Sequence, residues 1–348
     1  MKIALFDAKP YDKHYFTETN KNYSFDISYF KTHLTPESLP LTQGYDTVVV
    51  FVNDTITAPM IDYMHSNGVK LIALRCAGYN NVDFKHSFGK IHIVRVPAYS
   101  PHAIAEHALA LMMSLNRHIH RAYQRIRELN FTLNGLNGFD MYGKTAGVIG
   151  TGKIGKVLAQ ILKGMGMTVL TYDPFPDNEF AKTLGISYVS LDKLISESDV
   201  ISLNCPLTPE TEYLINNKNI NKMKDGVMII NTGRGKLIKT SDLIEGLKSG
   251  KIGSAGLDVY EEESNYFFED HSDKIMPDDI LARLLTFNNV IITSHQAFFT
   301  NEAMGQIAQV TMENIKTFYD GGLLENEVCY RCIKYKNGCD GKKKERCF

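Results

Sequence analysis

The sequence predicts an α/β protein of two Rossmann-like or flavodoxin-like units, each built on a parallel sheet. Three observations lead there. The chain has 348 residues, too many for one ordinary core and enough for two domains. Short β-rich apolar runs alternate with stretches of helical periodicity. One of those runs leads directly into Gly150-Thr151-Gly152-Lys153-Ile154-Gly155, which opens a helix.

In the first third, strands are expected at 2–6, 25–30, 47–52, 70–74 and 92–94. A helix follows from Pro101, where proline is favourable because its missing amide would be unpaired anyway. Ile104, Ala105, Ala108, Leu109, Leu111, Met112 and Leu115 give it one broad apolar face. The helix is expected to run on through the Arg- and His-rich segment 116–129, either as an arm against a partner subunit or as an exposed end. A second series starts near Lys144, with strands at 145–149, 168–172, 200–203, 227–230, 254–257 and 290–293. Helices are expected at 154–165 and 302–319. The second series therefore reads as a unit inserted near residue 100.

Composition narrows the function classes. Hydrophobic residues make up 44% and charged residues 22%, which argues against wholesale disorder. A formal net charge of -1 provides no global field for nucleic acid or an anionic membrane. The start, Met1 to Asp7, reads as a strand rather than a signal peptide, and no apolar run approaches the ~20 residues of a membrane span. A cytoplasmic location is expected, where thiols stay reduced.

The glycine loop gains its meaning from context. Gly150 permits the tight turn, Gly152 lets a pyrophosphate approach the backbone, and Gly155 lets helix and strand pack closely. The helix N-terminus offers amides and positive dipole to phosphates. Asp173 ends the next strand, 18 residues after Gly155, where a carboxylate accepts hydrogen bonds from ribose hydroxyls. A 2′-phosphate would meet like charge there, so NAD is expected over NADP.

Three later strands each end at polar residues: Asn231-Thr232-Gly233-Arg234-Gly235, Asp258 to Glu263, and Ser294-His295-Gln296. Strand carboxyl ends are where open α/β sheets bind ligands. Reduction of a 2-keto acid needs a hydride at C2 and a proton at the carbonyl oxygen. His295 suits the proton transfer, Glu263 beside it would favour the imidazolium, and Arg234 would bind a carboxylate and polarise the carbonyl. Each residue also has a bland reading: a structural histidine, a solvated acidic run, a turn arginine.

Together these segments resemble the D-isomer-specific 2-hydroxyacid dehydrogenases. The stretches Leu74 to Asp83, Arg95 to Pro101, Asn116 to Arg125 and Phe267 to Asp270 are most similar to the fermentative D-lactate dehydrogenases within that family. The resemblance covers residues 1 to about 328. It implies a substrate domain from both chain ends (1–99 and 298–328), an inserted NAD-binding Rossmann domain (100–297), and a cleft that closes over substrate. It implies NADH-dependent reduction of pyruvate to D-lactate, with Arg234, Glu263 and His295 catalytic. Ala77 and Gly78 would hold the substrate carboxylate through their amides, and Tyr99 and Phe298 would line the side-chain pocket. Gly150, Gly152, Lys153, Ile154, Gly155, Asp173, Cys205, Pro206, Thr211, Thr232, Gly233 and Asp258 would contact NAD. A homodimer or tetramer through the NAD domains is implied, with no nucleic-acid or membrane partner.

Two departures from that family stand out. Gly233 occupies a position where relatives usually carry serine. The tail, 329–348, holds Cys329, Cys332, Cys339 and Cys347 besides the run Lys342-Lys343-Lys344. Such a cluster fits either a zinc or iron–sulfur site or plain thiols on a solvated tail, so no metal is assigned. Two alternative functions stay open. One is a dehydrogenase of a bulkier D-2-hydroxy acid. The other is an NAD-binding corepressor of the C-terminal binding protein type, which would call for a long disordered tail that this chain lacks.

Overall fold

The computed structural model describes residues 1–263, 266–330 and 348. The chain divides into two compact units, Met1–Ser100 with Phe299–Phe348, and Pro101–Phe298.

The first unit holds a five-stranded, all-parallel sheet of β1 (Lys2–Leu5), β2 (Asp26–Tyr29), β3 (Thr47–Val50), β4 (Leu71–Leu74) and β5 (His92–Arg95). The order β2-β1-β3-β4-β5 is the flavodoxin-like one. Every residue of β3 and β4 is buried, as continuous apolar runs in a covered parallel sheet should be. The Asn301–Tyr319 helix returns to this unit. Thr300 caps it by accepting the Ala303 amide at 3.2 Å. Its buried side chains Met304, Ile307, Ala308, Met312, Ile315 and Phe318 recur at helical spacing; Ala308, Met312, Ile315 and Phe318 join Ile3, Leu5, Val49 and Leu71 in one core. Beyond the helix, residues 326–328 run along β5: the Arg95 amide donates to Asn326 O at 3.1 Å and the Val328 amide to Ile93 O at 2.8 Å.

The second unit holds seven parallel strands: β6 (Thr145–Ile149), β7 (Thr168–Tyr172), β8 (Ser187–Tyr188), β9 (Val200–Leu203), β10 (Val227–Asn231), β11 (Ile252–Leu257) and β12 (Val290–Ile292). Their order, β12-β11-β10-β9-β6-β7-β8, is the Rossmann order with one strand added. Leu111, Met112 and Leu115 pack with Leu158 and Leu162 in one core, and Leu194, Leu243, Leu247 and Leu284 belong to a second. The order reverses between β6 and β9, and the glycine loop leaves β6 there.

One expected element is corrected. The helix from Pro101 ends at Asn116, and a separate one spans Ile119–Arg127. Between them His118 takes a left-handed backbone (φ 49°). The physical cause is Asn116, whose side chain pairs with both the amide and the carbonyl of Phe139 at 2.9 and 2.8 Å and ends the helix there. No residue of the Ile119–Arg127 helix is buried.

No helix among the described residues is long and apolar enough to cross a membrane. Of the tail, Cys329 is buried, while Cys332, Cys339, Cys347 and Lys342 to Lys344 lie outside the described residues.

Candidate active site

The glycine loop carries the geometry its spacing predicts. Gly150 has φ 90°, and its amide donates to Tyr172 O at 2.8 Å, which ties the turn to the end of β7. A Cβ on Gly155 would lie 1.9 Å from Gly150 O, so only glycine permits this contact between helix and turn. Gly152 differs: a Cβ there would meet nothing within 4 Å. It is also the N-cap of the Lys153–Gly164 helix, with no side chain on the cap. The space beside Gly152 is open, as the approach of a pyrophosphate to this backbone and helix N-terminus requires.

Asp173 stands at the lip of this loop. Its Oδ2 accepts the Thr151 amide at 2.7 Å and the Thr151 hydroxyl at 3.1 Å, and its Oδ1 accepts the Phe175 amide at 2.9 Å. Tyr188 extends the chain by donating to Thr151 Oγ1 at 2.8 Å. Sequence reasoning missed Thr151 as the partner of Asp173, and Tyr188 as the partner of Thr151, because nothing in their spacing marks them. Cys205, Pro206 and Thr211 lie beyond β9, with Thr211 Oγ1 donating to Pro206 O at 2.7 Å. Burial pushes the Cys205 thiol up to about 11, so it stays protonated at neutral pH.

Beyond β10, Asn231 clamps the next loop from a buried position. Its Oδ1 accepts the Gly233 amide at 3.0 Å and its Nδ2 donates to Arg234 O at 2.9 Å. Within that loop the buried Thr232 hydroxyl has no hydrogen-bond partner among the described residues, a donor left for a ligand. Arg234 is exposed. Gly235 lets the loop press on the chain beyond β11: a Cβ there would meet Tyr260 O at 2.1 Å.

His295 and Glu263 come together. His295 Nδ1 lies 2.9 Å from Glu263 Oε1, and both side chains are about one-quarter exposed. The second Glu263 oxygen, Oε2, accepts the Tyr260 amide at 3.0 Å, which fixes the carboxylate. His295 has a left-handed backbone (φ 53°), uncommon for a residue with a side chain. Its amide lies 2.8 Å from Asp258 O and 3.0 Å from Thr293 O.

Asp258 underlies that turn. Fully buried, it accepts the Gln296 amide and the Thr293 hydroxyl on Oδ1, at 2.9 and 2.5 Å, and the Ala297 amide on Oδ2 at 2.9 Å. His107 Nε2 reaches Thr293 Oγ1 at 3.1 Å from the Pro101–Asn116 helix. The sequence marked Asp258 only as a cofactor contact. Its place beneath His295 depends on bonds spanning more than thirty positions, which no local pattern reveals.

The strands β10, β11 and β12 are parallel neighbours, so the segments carrying Arg234, Glu263 and His295 all follow strand carboxyl ends on the same side of the sheet. Phe298 is buried in the same unit. Ala77, Gly78 and Tyr99 belong to the first unit, half-buried beyond the carboxyl ends of β4 and β5.

Comparison with known proteins gives a consistent picture. Residues 109–297 match the family model of the D-isomer specific 2-hydroxyacid dehydrogenase NAD binding domain. The D-lactate dehydrogenase of Escherichia coli is 51% identical over 94% of this chain and 100% of its own length. The apo-structure of D-lactate dehydrogenase from Escherichia coli superposes with a TM-score of 0.88, at 49% identity over 94% of this chain and 100% of that one. The NAD-complexed D-isomer specific 2-hydroxyacid dehydrogenase of Lactobacillus delbrueckii ssp. bulgaricus gives a TM-score of 0.82 at 31% identity, over 94% of this chain and 100% of that one.

Proposed function

The chain belongs to the D-isomer-specific 2-hydroxyacid dehydrogenase family and binds NAD, and on that premise we propose that it reduces pyruvate to D-lactate with His295 as proton donor. The observation that carries this reading is the His295–Glu263 pair, fixed at 2.9 Å beyond strand carboxyl ends on the same side of the sheet as the segment carrying Arg234.

Bound NADH supplies the hydride that reaches C2 of the keto acid. His295 gives a proton to the carbonyl oxygen. Its Nδ1 is engaged by Glu263, so Nε2 is the nitrogen that carries that proton. Arg234 pairs with the substrate carboxylate and draws electron density from the carbonyl. In the first unit the Ala77 and Gly78 amides are carboxylate donors and Tyr99 a side-chain-pocket residue; in the second unit Phe298 is a side-chain-pocket residue. Lys153, Ile154 and the loop glycines hold the pyrophosphate; Asp173 takes the ribose hydroxyls. Cys205, Pro206, Thr211, Thr232 and Gly233 surround the rest of the dinucleotide, while the fully buried Asp258 supports the His295 turn instead of contacting it. The enzyme works as a cytoplasmic homo-oligomer joined through its nucleotide units, running in the reductive, fermentative direction.

The test is NADH oxidation against a panel of 2-keto acids, from pyruvate to 2-ketoisocaproate and phenylpyruvate. Pyruvate should give the highest kcat/KM. A strong preference for a larger acid would replace lactate with a bulkier 2-hydroxy acid, and no turnover with any of them would overturn the enzymatic reading.

A further inference from the structure

The loop after β4, Cys76-Ala77-Gly78-Tyr79, has its peptide carbonyls tied to the scaffold one after another. Cys76 O accepts the Val96 amide at 3.1 Å. Ala77 O accepts Nη1 of Arg95 at 2.7 Å. Gly78 O accepts the Cys76 thiol at 3.3 Å. The carbonyl and amide of a planar trans peptide point in opposite directions. Each tether therefore turns the following amide, of Ala77, Gly78 or Tyr79, away from the protein group that holds the carbonyl. None of these three amides has a hydrogen-bond partner among the described residues. Successive unpaired amides held in this way favour an anion.

Arg95 is itself held from several sides. Its amide donates to Asn326 O at 3.1 Å, and its carbonyl accepts Nδ2 of Asn314 at 2.9 Å. Asn326 Nδ2 donates to Asn314 Oδ1 at 2.8 Å, which joins the two. The guanidinium lies 5.0 Å from the centre of the Tyr79 ring, so it braces both ends of the loop. The segment after the Asn301–Tyr319 helix thus sets Arg95, and Arg95 sets the Ala77–Gly78 peptide.

We propose that Arg95 is the positioning residue of the carboxylate site: by holding the Ala77 carbonyl it fixes the Gly78 amide as a donor to the carboxylate of the 2-keto acid. Cys76 does the same for the next peptide. This rests on the function proposed above. It adds that affinity for the keto-acid carboxylate is governed by a side chain that does not touch it.

The experiment compares the parent enzyme with Arg95→Met, Arg95→Lys and Cys76→Ala. It measures KM and kcat for pyruvate, Kd for oxamate (a non-reducible carboxylate analogue) in the presence of NADH, Kd for NADH, and thermal unfolding. Arg95→Met should raise the pyruvate KM and the oxamate Kd roughly tenfold, the effect of losing one charge-assisted restraint. The kcat and the NADH Kd should hold. Arg95→Lys keeps the charge and loses the fork, so an intermediate rise assigns the effect to geometry. Cys76→Ala should move KM the same way by less. Should Arg95→Met fail to fold, the lysine and Cys76 variants carry the test. An unchanged KM and oxamate Kd in the folded variants, or a loss confined to kcat, would overturn the proposal. A parent enzyme that turns over no 2-keto acid counts against the proposed function. A parent that turns over normally beside indifferent Arg95 variants sinks this inference alone.

Discussion

At the scale of single residues, the backbone of His295 explains much of the site. A left-handed conformation at a residue with a side chain costs about 1–3 kcal/mol. The turn offsets that cost with the two carbonyls facing the His295 amide and with the Asp258 carboxylate, which takes three donors from residues 293–297. Asparagine tolerates this backbone better than most residues. His295→Asn should therefore fold and bind NADH like the parent, yet lose roughly 10²- to 10⁴-fold in pyruvate turnover, the usual range for a removed general acid. Stopped-flow NADH binding beside steady-state rates checks this. Retention of most of the turnover would remove His295 as proton donor. The sequence pointed to His295 and Glu263 as partners because each follows an apolar strand. It gave no hint of the positive φ or of Asp258 beneath it, because both depend on contacts between distant segments.

At the scale of elements, the glycine loop separates packing from binding. Gly155→Ala forces a methyl against Gly150 O, so helix and turn must part. Overpacking of this kind costs about 1–3 kcal/mol. The variant should melt at a lower temperature and bind NADH weakly. Gly152→Ala meets no protein atom, so it should keep the parent's melting temperature while its NADH Kd rises roughly tenfold, or about 1.4 kcal/mol. Calorimetry and NADH titration on both variants test this pair, and equal melting losses would refute the distinction. The parallel strands were legible because central strands are continuous apolar runs. The Pro10–Asn20 helix was not, because it buries only Asp12 and Phe16 and shows no apolar stripe. The break at His118 was hidden for a different reason. It is set by Asn116 bonding to Phe139, beyond the reach of any helical period.

At the scale of the whole molecule, the second unit leaves an apolar arm uncovered. Ile119, Tyr123, Ile126, Leu129, Phe131 and Leu133 are all more than half exposed, on and just after the Ile119–Arg127 helix. Large apolar side chains exposed so close together along the chain are a mark of an interaction surface. Sedimentation of the parent should show an oligomer, and Tyr123→Asp combined with Ile126→Asp should shift it toward monomer. A parent that sediments as a monomer would contradict that role for the arm. The two all-parallel sheets match the two parallel-sheet units that the sequence predicts, since short strands joined by helical crossovers run parallel. In the proposed reaction NADH gives its hydride to one face of pyruvate C2 and His295 protonates the carbonyl oxygen. The most direct measurement is the chirality of the lactate formed from pyruvate and NADH, read with stereospecific assays. D-lactate alone is the predicted product; L-lactate or a racemic mixture would contradict the account.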